Sequence, residues 1–274
     1  MPLFYNGHGD MREYVAPNTE VKRTPWALIC HRGVAGFPQN TIPAVYGILA
    51  HGYNHCEVDV RMTNDEKLVL CHDATITGTD ASGASKTLTI SDSTLEEIQA
   101  LALSTSEPYG NITAPTLDAV LELAAFTGIT LILDIKDNSV AASEAVARTV
   151  LQHSMQGKVQ YNAQSNIANA QSIVAIDPTA KFHITAFSEE MASVVGGDTG
   201  RLYYTVAANT TDLAAVTATA KSTGCSLYLW GVGDSTYTAC ADLFPVAVEF
   251  SSGHEVREST KTAISDYIQN KSFW

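Results

Sequence analysis

The chain is 274 residues long with 45% apolar side chains, enough to fill one sizeable core, and a single eight-fold α/β barrel usually takes roughly 250 residues. Its net charge is −13, which argues against a nucleic-acid partner, because phosphate backbones are held by clustered Lys and Arg, and gives no pull toward anionic lipid. Charged residues make up only 16%, and no run of about 18 uncharged apolar residues occurs, so no membrane span is expected.

Residues 1–25 are polar and mixed, with Pro17 and Pro25, and read as an N-terminal arm. The opening stretch has neither a basic region nor an apolar one behind it, so no signal peptide is expected. From residue 26 onward, short apolar runs alternate with longer amphipathic ones. Strands are predicted at 26–30, 56–62, 130–136, 158–163, 181–187, 201–207, 226–232 and 245–250. Helical spacing falls between most of them, as at 116–126 and 212–224, the latter ending on Gly224 as a C-terminal cap. This alternation predicts a parallel α/β fold, either a doubly wound sheet or a closed barrel. Eight strands in a chain of this size favour the TIM (β/α)₈ barrel, one domain over 1–274.

The pattern breaks once, between the second and third strands. That gap holds LVLCHD and then ATITGTDASGASKTLTISDST, which no helix fits for most of its length. Long connections of this kind are usually functional, and loops after barrel strands build active sites. The stretch reads as an insertion on the barrel rim.

Four clusters fall where the first three strand–helix units place them. His31-Arg32-Gly33 follows strand one, and His72-Asp73 follows LVLC. Glu57 and Asp59 alternate on strand two, so both side chains point to one face; Asp134 and Lys136 repeat that geometry on strand three. Taken alone, each has a plain structural explanation as a loop end or a solvated strand edge. An inner barrel strand, however, has a wet face only at its C-terminal mouth. Carboxylates gathered there are costly to bury without a cation. Glu57, Asp59 and Asp134 therefore suggest a site for one divalent cation, Mg²⁺ or Ca²⁺, the hard ions that oxygen ligands suit. Phosphodiester cleavage needs a base for the nucleophile and an acid for the leaving alcohol, and imidazole titrates nearest neutrality. His31 and His72 are the candidates for that pair, with Arg32 and Lys136 as phosphate contacts.

The remaining histidines, His8, His51, His55, His153, His183 and His254, have no partner at ligand spacing and are read as structural. His51 and His55 stand four apart, but Gly52 and Asn54 point to a helix end. Tyr203 and Tyr204 read as packing. The five cysteines form no CxxC pair, which suits buried free thiols and a reducing compartment. That slightly favours a cytoplasmic location, while the Ser-, Thr- and Ala-rich composition would suit an extracellular or phage-borne enzyme.

HRGVAGFPQNTIPAV, GYNHCEVDVRMTNDEKLVLCHD, APTLDAVLEL and LILDIK together resemble the ordered motifs of the glycerophosphodiester phosphodiesterase family over about residues 31–136. The resemblance implies a TIM barrel carrying a small cap between strands two and three, here 73–113. It implies metal-dependent hydrolysis of small glycerophosphodiesters to glycerol 3-phosphate and an alcohol, a reaction of lipid metabolism. His31 and His72 match the acid–base pair, Glu57, Asp59 and Asp134 the metal ligands, and Arg32 and Lys136 the phosphate contacts. Asn40 matches the Asn of the PENT motif, a polar contact that shapes the site, and Trp230 matches a late-strand Trp that lines the substrate pocket. Three positions depart from the pattern: Gln39 stands for Glu, Asp134 for the commoner Glu, and VEFSSG for a Thr-Asp ending on strand eight. Three alternatives stay open. One is a phospholipase D-type barrel that releases a cyclic phosphate. Another is a hydrolase of a glycerophosphate polymer such as teichoic acid. The third is a silent barrel that binds glycerophosphate.

Overall fold

The computed structural model describes residues 4–5, 11–12, 27–51, 53–103, 111–163, 165–208, 213–232 and 247–250. Eight strands run in chain order: β1 (Ala27–His31), β2 (His55–Met62), β3 (Thr130–Ile135), β4 (Val159–Asn162), β5 (Phe182–Ile184), β6 (Leu202–Ala207), β7 (Ser226–Val232) and β8 (Ala247–Phe250). Each pairs in parallel with the next, and β8 pairs in parallel with β1, so the sheet curls round until its first and last strands meet. The predicted strands all appear, with ends shifted by up to three residues; β1 gains His31 and β2 gains His55. Trp26, Pro245 and Val246, together with most of the arm, His8, Cys240 and His254, lie outside the described residues. Within the arm, Phe4–Tyr5 pairs antiparallel with Met11–Arg12.

The helices are α1 (Ile42–Gly47), α2 (Leu117–Thr127), α3 (Val140–Gln152), α4 (Ile167–Ile176), α5 (Glu189–Val194) and α6 (Leu213–Thr223). Thr116, Ser139, Asn166 and Ser188 cap the N-termini of α2 to α5 by accepting a backbone N–H in the first turn. Gly128 and Gly224 take up left-handed backbone just past α2 and α6, as the C-cap reading of Gly224 requires.

Alternation along the strands sorts the side chains. Cys56, Val58 and Val60 of β2, with Leu131, Leu133 and Ile135 of β3, join Val120, Leu121, Val146 and Val150 of the helices in one apolar core. The opposite face of each strand looks into the ring. Ile29, Ile132 and Tyr228 pack there, with Tyr203 against them. His183 is fully buried among them, its ring 5.2 Å from Tyr203 and 4.5 Å from Tyr228, and shares a hydrogen bond of 2.7 Å with Gln160 Oε1. Burial, with a smaller push from His55, lowers its pKa to about 3, so it is neutral and donates to the amide.

The long connection between β2 and β3 is not a featureless loop. Leu68–Leu70 returns antiparallel along the end of β2, and Thr75–Thr79 pairs with Ser85–Thr89 as a hairpin. A short helix, Leu95–Gln99, follows, closed by a Thr94–Glu97 capping box. Val69, Ile76, Ile90, Ile98, Leu101 and Ala114 form a second, smaller core beneath the hairpin. Residues 104–110 of this segment lie outside the described residues.

Candidate active site

The site begins with a tight loop after β1. Arg32 and Asn40 both take up left-handed backbone, and the Asn40 amide donates to the Arg32 carbonyl at 3.0 Å. Gly33 also has positive φ, and a Cβ there would stand 2.5 Å from the backbone of Ala44. The Gly of the HRG motif is thus needed where the chain presses against α1. Thr41 donates its hydroxyl to the Pro38 carbonyl, and Pro43 opens α1.

This loop brings Arg32 and Asn40 onto Asp59. The Asn40 amide donates to Asp59 Oδ2 at 2.7 Å and accepts the Asp59 backbone N–H at 3.0 Å. Arg32 Nε lies 3.0 Å from Asp59 Oδ2, and Lys136 Nζ lies 2.9 Å from Oδ1. Asp59 is fully buried. Burial alone would raise its pKa, but hydrogen bonds from Lys136 and Asn40 and the charges of Lys136 and Arg32 outweigh it and hold the carboxyl below its usual range. Lys136 also reaches Asp134 Oδ2 at 2.5 Å. Burial would lower Lys136, yet the two aspartates win and hold the ammonium above its ordinary value.

Glu57, Asp59 and Asp134 each offer an oxygen within 4.8 Å of the other two. Glu57 and Asp134 are buried, and Asp134 Oδ1 accepts no hydrogen bond. Three carboxylates this close, one with a buried orphan oxygen, fit a hard divalent cation, the ion their oxygens would share. His31 stands beside them, its Nε2 3.6 Å from Glu57 Oε2. Its pKa is lowered to about 4, by burial first and then by Arg32, with Lys136 and His72 adding smaller pushes.

His72 follows the strand Leu68–Leu70, where the Cys71 amide still bonds to the Asp59 carbonyl. Its Nδ1 is 2.7 Å from Asp73 Oδ1, where a carboxylate oxygen can only accept, so Nδ1 is the donor. Trp230 lies near the C-terminal end of β7, two strands round the ring from β1, and is 48% exposed rather than packed in the core. Gln39, the neutral residue at the departing position, accepts from Arg32 Nη1 at 3.2 Å. Of the residues singled out in the sequence, His31, Arg32, Asn40, Glu57, Asp59, Asp134 and Lys136 converge on one point. His72 stands on the neighbouring loop, just past the strand that returns along β2, and Trp230 stands apart at the rim.

Two further residues belong to this end of the barrel. Arg61, on the same face of β2 as Glu57 and Asp59, binds the His72 carbonyl, and its Nη1 lies 3.0 Å from Asp137 Oδ1. Asp137 follows Lys136 directly. The alternation Glu57, Asp59, Arg61 was the signal in the sequence that a third polar side chain shares that face.

Fold and site define an α/β barrel with carboxylates, imidazole and fixed cations gathered at the C-terminal ends of its first three strands. The sequence profile of the glycerophosphoryl diester phosphodiesterase family matches residues 31–248, and the chain belongs to that family, whose fold is the TIM barrel. A glycerophosphodiester phosphodiesterase of Caldanaerobacter subterraneus subsp. tengcongensis is 34% identical over 117 residues, 41% of this chain and 46% of that one. The chain spans about half the length, or less, of the curated relatives it matches. Among solved structures, an Oleispira antarctica phosphodiesterase in complex with the product sn-glycerol-3-phosphate aligns with a TM-score of 0.70 at 20% identity, covering 87% of this chain and 96% of that one. A glycerophosphodiester phosphodiesterase of Agrobacterium tumefaciens aligns with a TM-score of 0.64 at 20% identity, covering 83% and 96%. At these identities the two structures speak for the fold.

Proposed function

We propose that the chain hydrolyses small glycerophosphodiesters to glycerol 3-phosphate and an alcohol. The observation that carries this reading is the carboxylate trio within 4.8 Å, with His31 beside Glu57 and with Arg32 and Lys136 against Asp59. Glycerol 3-phosphate is the product bound by the Oleispira relative. Glu57, Asp59 and Asp134 would hold one cation, Mg²⁺ or Ca²⁺, which when bound supplies positive charge for the phosphoryl oxygens. Arg32 and Lys136 orient the phosphate and offset charge that develops on it. Asn40 keeps Asp59 in place, and Trp230 lines the outer wall for the head group.

Chemistry needs two proton transfers. One of His31 and His72 takes the proton of the glycerol 2-hydroxyl as that oxygen bonds to phosphorus. The other gives a proton to the leaving alcohol as its P–O bond breaks, and a cyclic phosphate results. Water then opens the ring with the two roles exchanged, and both histidines return to their starting states.

We take the whole chain, 1–274, as one barrel domain with an arm at 1–25 and a cap at 73–113. Support for the cap is its start directly after His72 and its own apolar core. Among the described residues no helix is long and apolar enough to cross a membrane.

Phosphorus NMR of glycerophosphocholine digested by the enzyme tests the reading. Glycerol 3-phosphate as the end product supports it. A cyclic phosphate that accumulates and is never opened would transfer the chain to the phospholipase D-type alternative.

A further inference from the structure

The residues that meet diester, ion or proton leave one polar array at the mouth unexplained. Arg61 is only 16% exposed at its side chain and spends its guanidinium inside the protein. Nε donates to the His72 carbonyl at 3.1 Å and Nη2 to the same oxygen at 2.8 Å. Nη1 donates to Asp137 Oδ1 at 3.0 Å, and Asp137 Oδ2 accepts the Met62 backbone N–H at 2.6 Å. One planar cation therefore joins the ends of β2 and β3 to the loop that carries His72.

The ladder explains why a side chain is needed there. Backbone pairing along Leu68–Leu70 ends at Cys71, whose amide reaches the Asp59 carbonyl. His72 is the next residue, past the last strand bond, and its own side chain is 40% exposed with its ring against Asp73. Nothing regular would fix its backbone without the two donors from Arg61. The other end of the tether is itself braced. The Lys136 amide donates to the Val60 carbonyl, and Asn138 Oδ1 accepts from both Asn166 (2.9 Å) and Asn169 (2.8 Å) at the start of α4. Asp137 thus sits in a segment held from both sides, between Lys136 and Asn138. With Asp137 neutralising it, Arg61 is not a further cation for the substrate.

We propose that Arg61, held by Asp137, is a positioning residue that fixes His72 relative to the carboxylate cluster. The inference rests on the reading of His72 as one of the acid–base pair. Only a guanidinium offers three donors in one rigid fork, so Lys cannot replace it: a point charge on a flexible stem satisfies the carbonyl or the carboxylate, not both together. Asn at 137 keeps one acceptor and loses the ion pair.

The test measures kcat and KM for glycerophosphocholine hydrolysis by the full chain with metal supplied. It uses Arg61→Lys and Asp137→Asn, each made in the parent and in a His72→Ala background, with thermal unfolding followed for every variant. Action through His72 predicts that kcat falls about tenfold or more in both single variants while KM stays within about twofold. In the His72→Ala background neither substitution should lower kcat further, because groups that act as a unit are not additive. An unchanged kcat in the single variants, or the same loss repeated on top of His72→Ala, overturns the proposal. If Arg61→Lys fails to fold, Asp137→Asn decides by the same two criteria. Near-parental turnover in His72→Ala itself would show instead that the acid–base assignment is wrong, an outcome distinct from either.

Discussion

Asn40 and Asp59 hold each other twice: the Asn40 amide gives one hydrogen bond to the buried carboxylate and takes another from the Asp59 backbone. The pairing ties the loop after β1 to the middle of β2, and it does so from a left-handed residue, a conformation Asn tolerates well. Asn40→Asp keeps size and backbone preference but sets an acceptor against an acceptor in a buried place. A lost hydrogen bond to a buried charge costs about 1.5–3 kcal/mol, so kcat/KM should fall by about 10- to 100-fold. Steady-state kinetics alongside calorimetric titration with Ca²⁺ checks this. Unchanged kinetics and affinity would remove Asn40 from the site.

His31→Ala and His72→Ala should each lower kcat by roughly 10²–10⁴-fold, the usual contribution of a positioned proton donor or acceptor. Circular dichroism should show the barrel intact, since neither ring belongs to the apolar cores. Turnover near the parental rate in both variants contradicts the assignment.

Gln39 meets Arg32 without adding a negative charge. It accepts one N–H at 3.2 Å from a guanidinium that also serves Asp59. Gln39→Glu puts a second carboxylate on the same cation, in competition with the substrate phosphate. KM for a glycerophosphodiester should rise several-fold with kcat little changed, because the interaction lost is made with the bound ground state as well. An unaltered KM would mean that Arg32 does not touch the phosphate.

His183 sets a pH dependence of stability rather than of activity. Its folded pKa lies near 3 against an ordinary value of 6.5, so between those values the unfolded chain takes up a proton that the folded one refuses. Stability contributed by this group is intact above about pH 6.5 and declines as pH falls toward 3, at up to about 1.4 kcal/mol per pH unit. His55, lowered to about 4 by burial and then by Lys181, adds to the same decline. His183→Gln retains an amide partner for Gln160 and removes the titration. Its melting temperature should therefore drop less between pH 6.5 and 4.5 than that of the parent. Equal slopes would place the acid sensitivity elsewhere.

Much of this arrangement was legible in the sequence because barrel strands obey a period of two. Counting put Glu57 with Asp59 on one face of strand two and Asp134 with Lys136 on one face of strand three, and the structure brings the three carboxylates within 4.8 Å. Gly224 was read as a cap from its place after the last apolar turn, and it has the positive φ such a cap needs. The hairpin was missed for a physical reason. TITGT and SKTLT alternate, but only Ile76 and Leu88 supply the apolar beat; Thr75, Thr77, Thr87 and Thr89 fill the other positions, and the whole reads as low complexity. The alternation Glu57, Asp59, Arg61 put Arg61 on the site face, but its role was missed because nothing local shows what it binds. Its partners, His72 and Asp137, lie 11 and 76 residues away.

The central claim is that the carboxylate trio serves a cation-dependent phosphodiesterase. The measurement that tests it most directly is turnover of glycerophosphocholine and glycerophosphoglycerol after EDTA treatment, then with Mg²⁺ or Ca²⁺ restored. The account predicts that activity disappears with EDTA, returns with one of the two ions, and yields glycerol 3-phosphate. A folded protein that turns over neither diester with either ion, or works equally well in EDTA, would contradict it.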